Sequence, residues 1–334
     1  MFNSLLWFIA VLIWIWCIAC AGSLDDYIPK WLGACIVGLI AIGIPLLLFF
    51  FWSARLAPTF ALIAVFIALN GWLICLTPTH DRDWGIAQAT LPYAKITGSE
   101  SDEIAEVNNI RSFRYGPVSP KHSSHYSDKF KLSKLKRVWF GVDRFTTAEP
   151  LAHTFLSFEF EPGSHKTNFL AFSVETRREK DEDFYSPIRG CFNNYEIIYV
   201  IADEQDVLSI RSDVRENVVQ LYPIRATQQQ TIAMFKDMLK RTNGIHKTPE
   251  FYHTLTNNCT NNIVYHTNNV LNAPISAYQR GVVFPGYSDW LAYQLGIIDT
   301  ELPLVEARER FRIDQRVKNW DGKSDFSEFI RERE

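Results

Sequence analysis

The chain has 334 residues, a formal net charge of −3 and a pI near 6.3, which excludes the basic surface a nucleic-acid partner would require. Its apolar residues, 47% of the total, are concentrated at one end. Phe2 to Leu24, Trp31 to Ala54 and Leu56 to Thr79 carry no charged side chain.

Each of these runs is long enough to cross a hydrocarbon core of about 30 Å as a helix. Trp7, Trp14, Trp16, Trp31, Trp52 and Trp72 lie in them, several near expected interfaces. The reading is a segment 1–79 of three transmembrane helices, about 2–24, 31–54 and 56–79, ahead of one domain over 80–334. The first run lacks the basic n-region of a secretory signal. Cys17-Ile18-Ala19-Cys20 only loosely resembles a lipoprotein processing box, so Cys17, Cys20, Cys35 and Cys75 read as intramembrane packing residues. The first connection holds Asp25, Asp26 and Lys30, and the second holds Arg55. Basic residues favour the cytoplasmic side. Arg55 therefore places the N-terminus in the cytoplasm and everything after Thr79 outside the inner membrane, as a multi-pass protein with a periplasmic domain.

Beyond His80-Asp81-Arg82-Asp83-Trp84 the pattern turns to short elements. Ala94 to Ile110 leads into Arg111-Ser112-Phe113-Arg114-Tyr115, a strand-like piece with a basic edge. Pro117 to Lys134 is polar and rich in Ser, His and Lys, and reads as a long loop. Its His122 and His125 have no Cys or acidic partner at zinc spacing and read as solvated. Val138 to Val142 is a strand. Leu151 to Phe160 is extended and aromatic, Glu161-Pro162-Gly163-Ser164 is a turn, and Asn168 to Glu175 returns. With position sums near 329 across this hairpin, His153 falls opposite Glu175 or its neighbour, within cross-strand reach. Alternation places His153, Ser157 and Glu159 on one face. Tyr195 to Ala202 is a strand, followed by acidic Asp203-Glu204-Gln205-Asp206 and the segment Val207 to Arg211. Val218 to Ile224 is a further short strand. Thr227 caps a helix through Met234, Phe235, Met238 and Leu239 that ends near Gly244. Gly281 to Ile298 is loop plus helix, and Glu306 to Arg316, with alternating charges, reads as a solvated surface helix. Strands and helices in this mixture give an α+β class.

The stretch Thr256-Asn257-Asn258-Cys259-Thr260-Asn261-Asn262 stands apart. Asn257 and Asn258 suit a turn or a helix cap, and Ile263, Val264 and Val270 follow at roughly helical spacing. Cys259 then sits where a loop enters a helix, at the positive end of the dipole, which favours thiolate. Two readings stay open on these residues: a nucleophile, or a small buried hydrophobe of the kind most free cysteines are. The six polar neighbours argue against burial. His153 likewise reads either as a base or as a satisfied core histidine.

The segments His153-Thr154-Phe155-Leu156-Ser157-Phe158-Glu159-Phe160, Ser173-Val174-Glu175-Thr176-Arg177-Arg178-Glu179-Lys180, Tyr199 to Val207 and Asn257-Asn258-Cys259-Thr260 occur in this order. Together they resemble the periplasmic domain family of the bacterial lipoprotein N-acyltransferase Lnb, over about residues 80 to 300. The order His before Cys also resembles circularly permuted papain-like enzymes of the NlpC and lecithin–retinol acyltransferase type. The resemblance implies a permuted papain-like fold, Cys259 as nucleophile and His153 as base; the hairpin register adds Glu175 as the third member. It implies an acyl chain taken from a phospholipid donor through a thioester to the α-amine of a diacylated lipoprotein, with no cofactor and no metal. The backbone N–H of Cys259 would serve the oxyanion, with Asn258 or Tyr252 assisting. Phe155, Phe158 and Phe160 read either as a wall that keeps the site dry or as ordinary core. A Cys-His peptidase, amidase or lipase of the cell envelope is the second reading, and a non-catalytic tethered domain the third. Cys191 and Cys259 are expected to remain unbridged, because a bridge would silence the nucleophile.

Overall fold

The computed structural model describes residues 2–24, 27–46, 56–99, 102–115, 120–145, 149–182, 185–271 and 274–331. It divides into two compact units, one of residues 1–82, 181–196 and 250–254, the other of residues 83–180, 197–249 and 255–334.

The first unit contains helices α1 (Phe2–Ala21), α2 (Lys30–Gly38) and α3 (Leu56–Cys75). Cys17, Cys20, Ile40, Leu62, Leu69 and Phe192 form its apolar cluster. The Trp16 ring lies 4.9 Å from Phe66 and 5.4 Å from Phe192, and Asn194 donates to the Ser23 carbonyl at 2.6 Å. Cys17 and Cys20 are buried, whereas Cys35 and Cys75 are exposed. The expected three transmembrane helices are not found: no helix among the described residues is long and apolar enough to cross a membrane. The second uncharged run is the clearest departure. Helix α2 spans nine residues and gives way at Leu39–Gly43 to a π-helical turn. Pro45 follows directly; it has no N–H for the ladder and crowds the carbonyl four residues back, which widens the preceding turn. In α1 and α3 the described side chains begin only at residues 8 and 59. Asp25, Asp26 and Arg55, on which the orientation argument turned, lie outside the described residues.

The second unit is built on a mixed sheet. Its strands are β1 (Tyr93–Thr97), β2 (Ile104–Arg111), β5 (His125–Lys131), β6 (Leu135–Arg144), β7 (Ala152–Phe160), β8 (Phe169–Arg177), β9 (Glu196–Asp203) and β10 (Val218–Pro223). They run in the order β1-β2-β9-β8-β7-β6-β10, with β5 also on β2; β3 (Arg114–Tyr115) and β4 (Pro120–His122) form a separate pair. The β7–β8 hairpin pairs Phe155 with Ser173 and Phe158 with Leu170, one position from the expected register. The stretch expected as a loop, Pro117 to Lys134, instead supplies β4 and β5. Of β5 only Phe130 is buried, so the alternation that marks a half-buried strand is nearly absent from its sequence.

Alternation in β7 sorts its side chains onto two layers. Leu156, Phe158 and Phe160 face helices α5 (Gln228–Lys247) and α6 (Cys259–Val270), with Phe158 5.0 Å and Phe160 5.5 Å from the Phe235 ring. Phe155 faces the opposite layer, among Ile198, Val200, Leu208, Val219 and Leu221. That layer is closed by α4 (Glu204–Ser209) and by the C-terminal segment. The expected solvated helix over Glu306 to Arg316 is broken into α9 (Leu304–Arg310) and α10 (Asp314–Lys318). With α11 (Phe326–Phe329) this segment buries Ile313, Val317, Phe326 and Ile330 in the same core. Helices α7 (Arg280–Val283) and α8 (Ser288–Gln294) lie between, and Asp289 of α8 accepts two bonds from Arg308 at 2.7 and 3.0 Å.

Candidate active site

Cys259 is the first residue of α6. Asn258 precedes it as the cap: its side chain accepts from the Asn261 N–H at 2.9 Å while the Asn261 side chain accepts from the Asn258 N–H at 3.2 Å. The reciprocal bonds satisfy two of the donors that a helix start leaves open. Asn262 adds two more bonds, to the Asn257 side chain at 2.9 Å and the Asn258 carbonyl at 2.8 Å. The polar residues around the cysteine thus satisfy one another. For that reason Cys259 is only 4% exposed, contrary to what its polar neighbours suggested. Its Sγ lies 3.8 Å from the Thr260 hydroxyl, and Thr260 meets Thr154 of β7 at 3.0 Å. This pair of hydroxyls fixes the start of α6 against the sheet.

His153 stands one residue before Thr154 and so projects from the other face of β7. Its Nε2 meets the Ser173 hydroxyl at 2.7 Å, and Ser173 donates to Glu175 at 2.8 Å. Arg211, 2% exposed, donates to both Ser173 and Glu175 at 3.1 Å and forms an ion pair with Asp143 at 3.3 Å. Its guanidinium also lies 5.2 Å from the centre of the Phe155 ring, which stacks on the imidazole. Gly141 leaves the space for that ring: a Cβ there would come within 2.1 Å of it. Loss of hydration, reinforced by the Arg211 charge, pushes the His153 pKa down to about 3, so the imidazole is neutral near pH 7. Burial alone would raise the Glu175 carboxyl, but Arg111, Arg211 and His153 outweigh it and hold the group well below the usual carboxylate range.

The expected residues therefore fall into separate groups. His153 and Glu175 are joined through Ser173, not directly as the hairpin register suggested. Cys259 and Asn258 sit together at the start of α6. Among the described residues no hydrogen bond joins the thiol to His153; the backbone of β7 lies between the layers they occupy. Tyr252 belongs to the first unit, where its N–H donates to the Tyr195 carbonyl at 2.8 Å and its ring meets Tyr185 edge-on. Cys191 and Cys259 are unbridged. No group of three or more metal-ligating side chains occurs among the described residues.

One cluster beside the cysteine has no counterpart among the sequence expectations. His266, fully buried, meets Asp237 of α5 through Nδ1 at 2.7 Å and the Tyr199 hydroxyl of β9 through Nε2 at 2.9 Å. Tyr199 donates to Asn262 at 2.8 Å, and Asn262 holds the Asn257-Asn258 turn. The spacing of Cys259, Asn262 and His266 at i, i+3 and i+7 on one helix face was the available signal.

Residues 122–284 match the family model of the Lnb N-terminal periplasmic domain. No curated protein and no solved structure matches the chain, so the permuted papain-like architecture expected from the resemblance has no structural relative behind it. The matched stretch includes His153, Glu175, Asn258 and Cys259.

Proposed function

We propose that the second unit is a thiol-dependent acyltransferase in which Cys259 takes an acyl group from a phospholipid ester and passes it to the α-amine of a diacylated lipoprotein. The observation that carries this reading is the placement of the only cysteine in that unit. It sits at the capped start of a twelve-residue helix, inside the stretch matching the lipoprotein-related family. The N–H groups that a helix start leaves open suit an oxyanion at that position. In the first half-reaction sulfur bonds the ester carbonyl carbon, the C–O bond breaks, and the thiol proton ends on the departing alcohol. In the second the amine nitrogen replaces sulfur, and its proton returns to the thiol. A buried thioester favours amine over water.

His153 enters this proposal as a positioning residue, because Ser173 and Arg211 hold its surroundings on the other layer of the sheet. A strain lacking its own lipoprotein N-acyltransferase tests the reading. With the wild-type protein, mature lipoproteins gain a third acyl chain; with Cys259→Ala they do not. If lipoproteins stay diacylated while phospholipid is hydrolysed, the protein is a hydrolase. If His153→Gln is as inactive as Cys259→Ala while retaining wild-type stability, His153 is the base and must reach the thiol.

A further inference from the structure

An apolar cavity runs along α6 from Thr260, the residue after the cysteine. Its volume is about 80 Å³, and it is partly open to solvent. Thr260, whose hydroxyl lies 3.8 Å from the Cys259 sulfur, lines one end. Ile263, Val264, Thr267 and Leu271 continue the wall along the same helix. Phe140 and Leu156 of the sheet, Leu291 of α8 and Leu295 just past its end supply the other sides. From Thr260 to Leu271 the helix rises about 16 Å, a length that suits an extended hydrocarbon chain rather than a compact ligand.

Polar atoms in the lining are mostly spoken for. The Thr231 hydroxyl donates to the Thr227 carbonyl at 3.0 Å and Thr267 to the Ile263 carbonyl at 2.8 Å. A polar ligand along this path would lose water without recovering hydrogen bonds. Ser288 is the exception: it is 5% exposed, it lines the cavity, and its Oγ has no hydrogen-bond partner. The turn just before it, residues 285–287, packs against β7. Gly286, two residues earlier, donates to the Pro150 carbonyl at 2.9 Å immediately before β7, and the Thr260 contact is to Thr154 of that same strand. The cavity therefore offers one unpartnered hydroxyl, on the element that packs against the same strand as Thr260, and hydrocarbon elsewhere.

We propose that this cavity binds a single unbranched long acyl chain, with its carboxyl or ester end at Ser288 and Thr260 beside Cys259 and its methyl end between α6 and α8. The assignment of the chain as the group in transit rests on the acyltransferase reading; the binding site itself does not need the chemistry. The test therefore uses full-length Cys259→Ala protein and a fluorescent long-chain fatty acid. Val264 is half-buried and Leu295 is 47% exposed, so Val264→Trp and Leu295→Trp, each added to that background, can fill the path with little strain on the core. Thermal melts confirm that each variant is folded. Saturable binding is expected, weakened at least about tenfold by either tryptophan, with an eight-carbon competitor much weaker than a sixteen-carbon one. Ser288→Ala should weaken the fatty acid but not the matching alkane. Absence of binding, or binding unchanged in both folded tryptophan variants, overturns the site. A parallel arm with wild-type protein reads Cys259 acylation by acetyl and palmitoyl activated esters. Lack of any Cys259 adduct there defeats the acyltransferase reading and leaves the binding result standing on its own.

Discussion

At the scale of single residues, the second unit contains two hydrogen-bonded histidine chains, one on each layer of the sheet. Burial lowers the pKa of both His153 and His266, and the His153 chain, with Ser173, Glu175 and Arg211, shows the larger shift. The free imidazole titrates near 6.5, and in the folded protein near 3; Glu175 is also held below its ordinary value. Between those limits the unfolded chain binds protons that the folded chain does not, so stability rises with pH. The contribution is complete above about pH 6.5 and is lost as pH falls toward 3. Urea midpoints at pH 7, 6, 5 and 4 should decline steadily in wild type and less steeply in His153→Gln; equal slopes would contradict the assignment. Ser173→Ala leaves His153, Glu175 and Arg211 each short of a partner, at a cost of about 1–3 kcal/mol. A stability loss below about 0.5 kcal/mol would mean that Ser173 is not the bridge.

At the scale of elements, the capping of α6 sets where the thiol sits. Asn258→Ala removes half of the reciprocal cap and should cost about 1 kcal/mol, with Asn258→Asp close to wild type. Cys259 alkylation rates should shift in the alanine variant and not in the aspartate one. The β7–β8 hairpin was readable almost to the residue, since aromatic alternation and a Pro-Gly turn fix register together. The Thr227-capped helix was readable for the same kind of local reason, although it continues past Gly244 to Lys247. What a hairpin register cannot reveal is which layer receives α6. The Thr154–Thr260 contact decides that, and it joins residues 106 positions apart. The resemblance that implies His153 as base to Cys259 carries no information on this contact. The edge strand β5 was also invisible, because its exposed polar side chains look like those of a loop.

At the scale of the whole chain, the tail is where charge patterning misled most. Arg331 donates to Glu204 at 2.7 and 2.5 Å, and Ser157 of β7 donates to the same carboxylate. Glu204 is fully buried at its side chain and Arg331 is 11% exposed. In the charge-alternating stretch itself Arg308 pairs with buried Asp289 and Arg312 with buried Asp314, while Glu306 and Glu309 are exposed. Arg331→Ala should destabilise the protein by about 3–5 kcal/mol by stranding that carboxylate, and Glu204→Gln in the same chain should recover much of the loss. Denaturant titration of the two single variants and the double variant checks it; additive losses would show that the pair is not coupled. The uncharged N-terminal runs misled differently, since length and hydropathy do not register the interruption at Gly38 and Pro45.

The central claim is that Cys259 carries an acyl group. Purified wild-type protein incubated with phospholipid vesicles and analysed by intact-mass and peptide mass spectrometry should show one added fatty acyl group. The adduct should map to Cys259, be removed by neutral hydroxylamine and be absent from Cys259→Ala. An unmodified Cys259 under conditions where lipoproteins are acylated, or an adduct that persists in Cys259→Ala, would contradict the account.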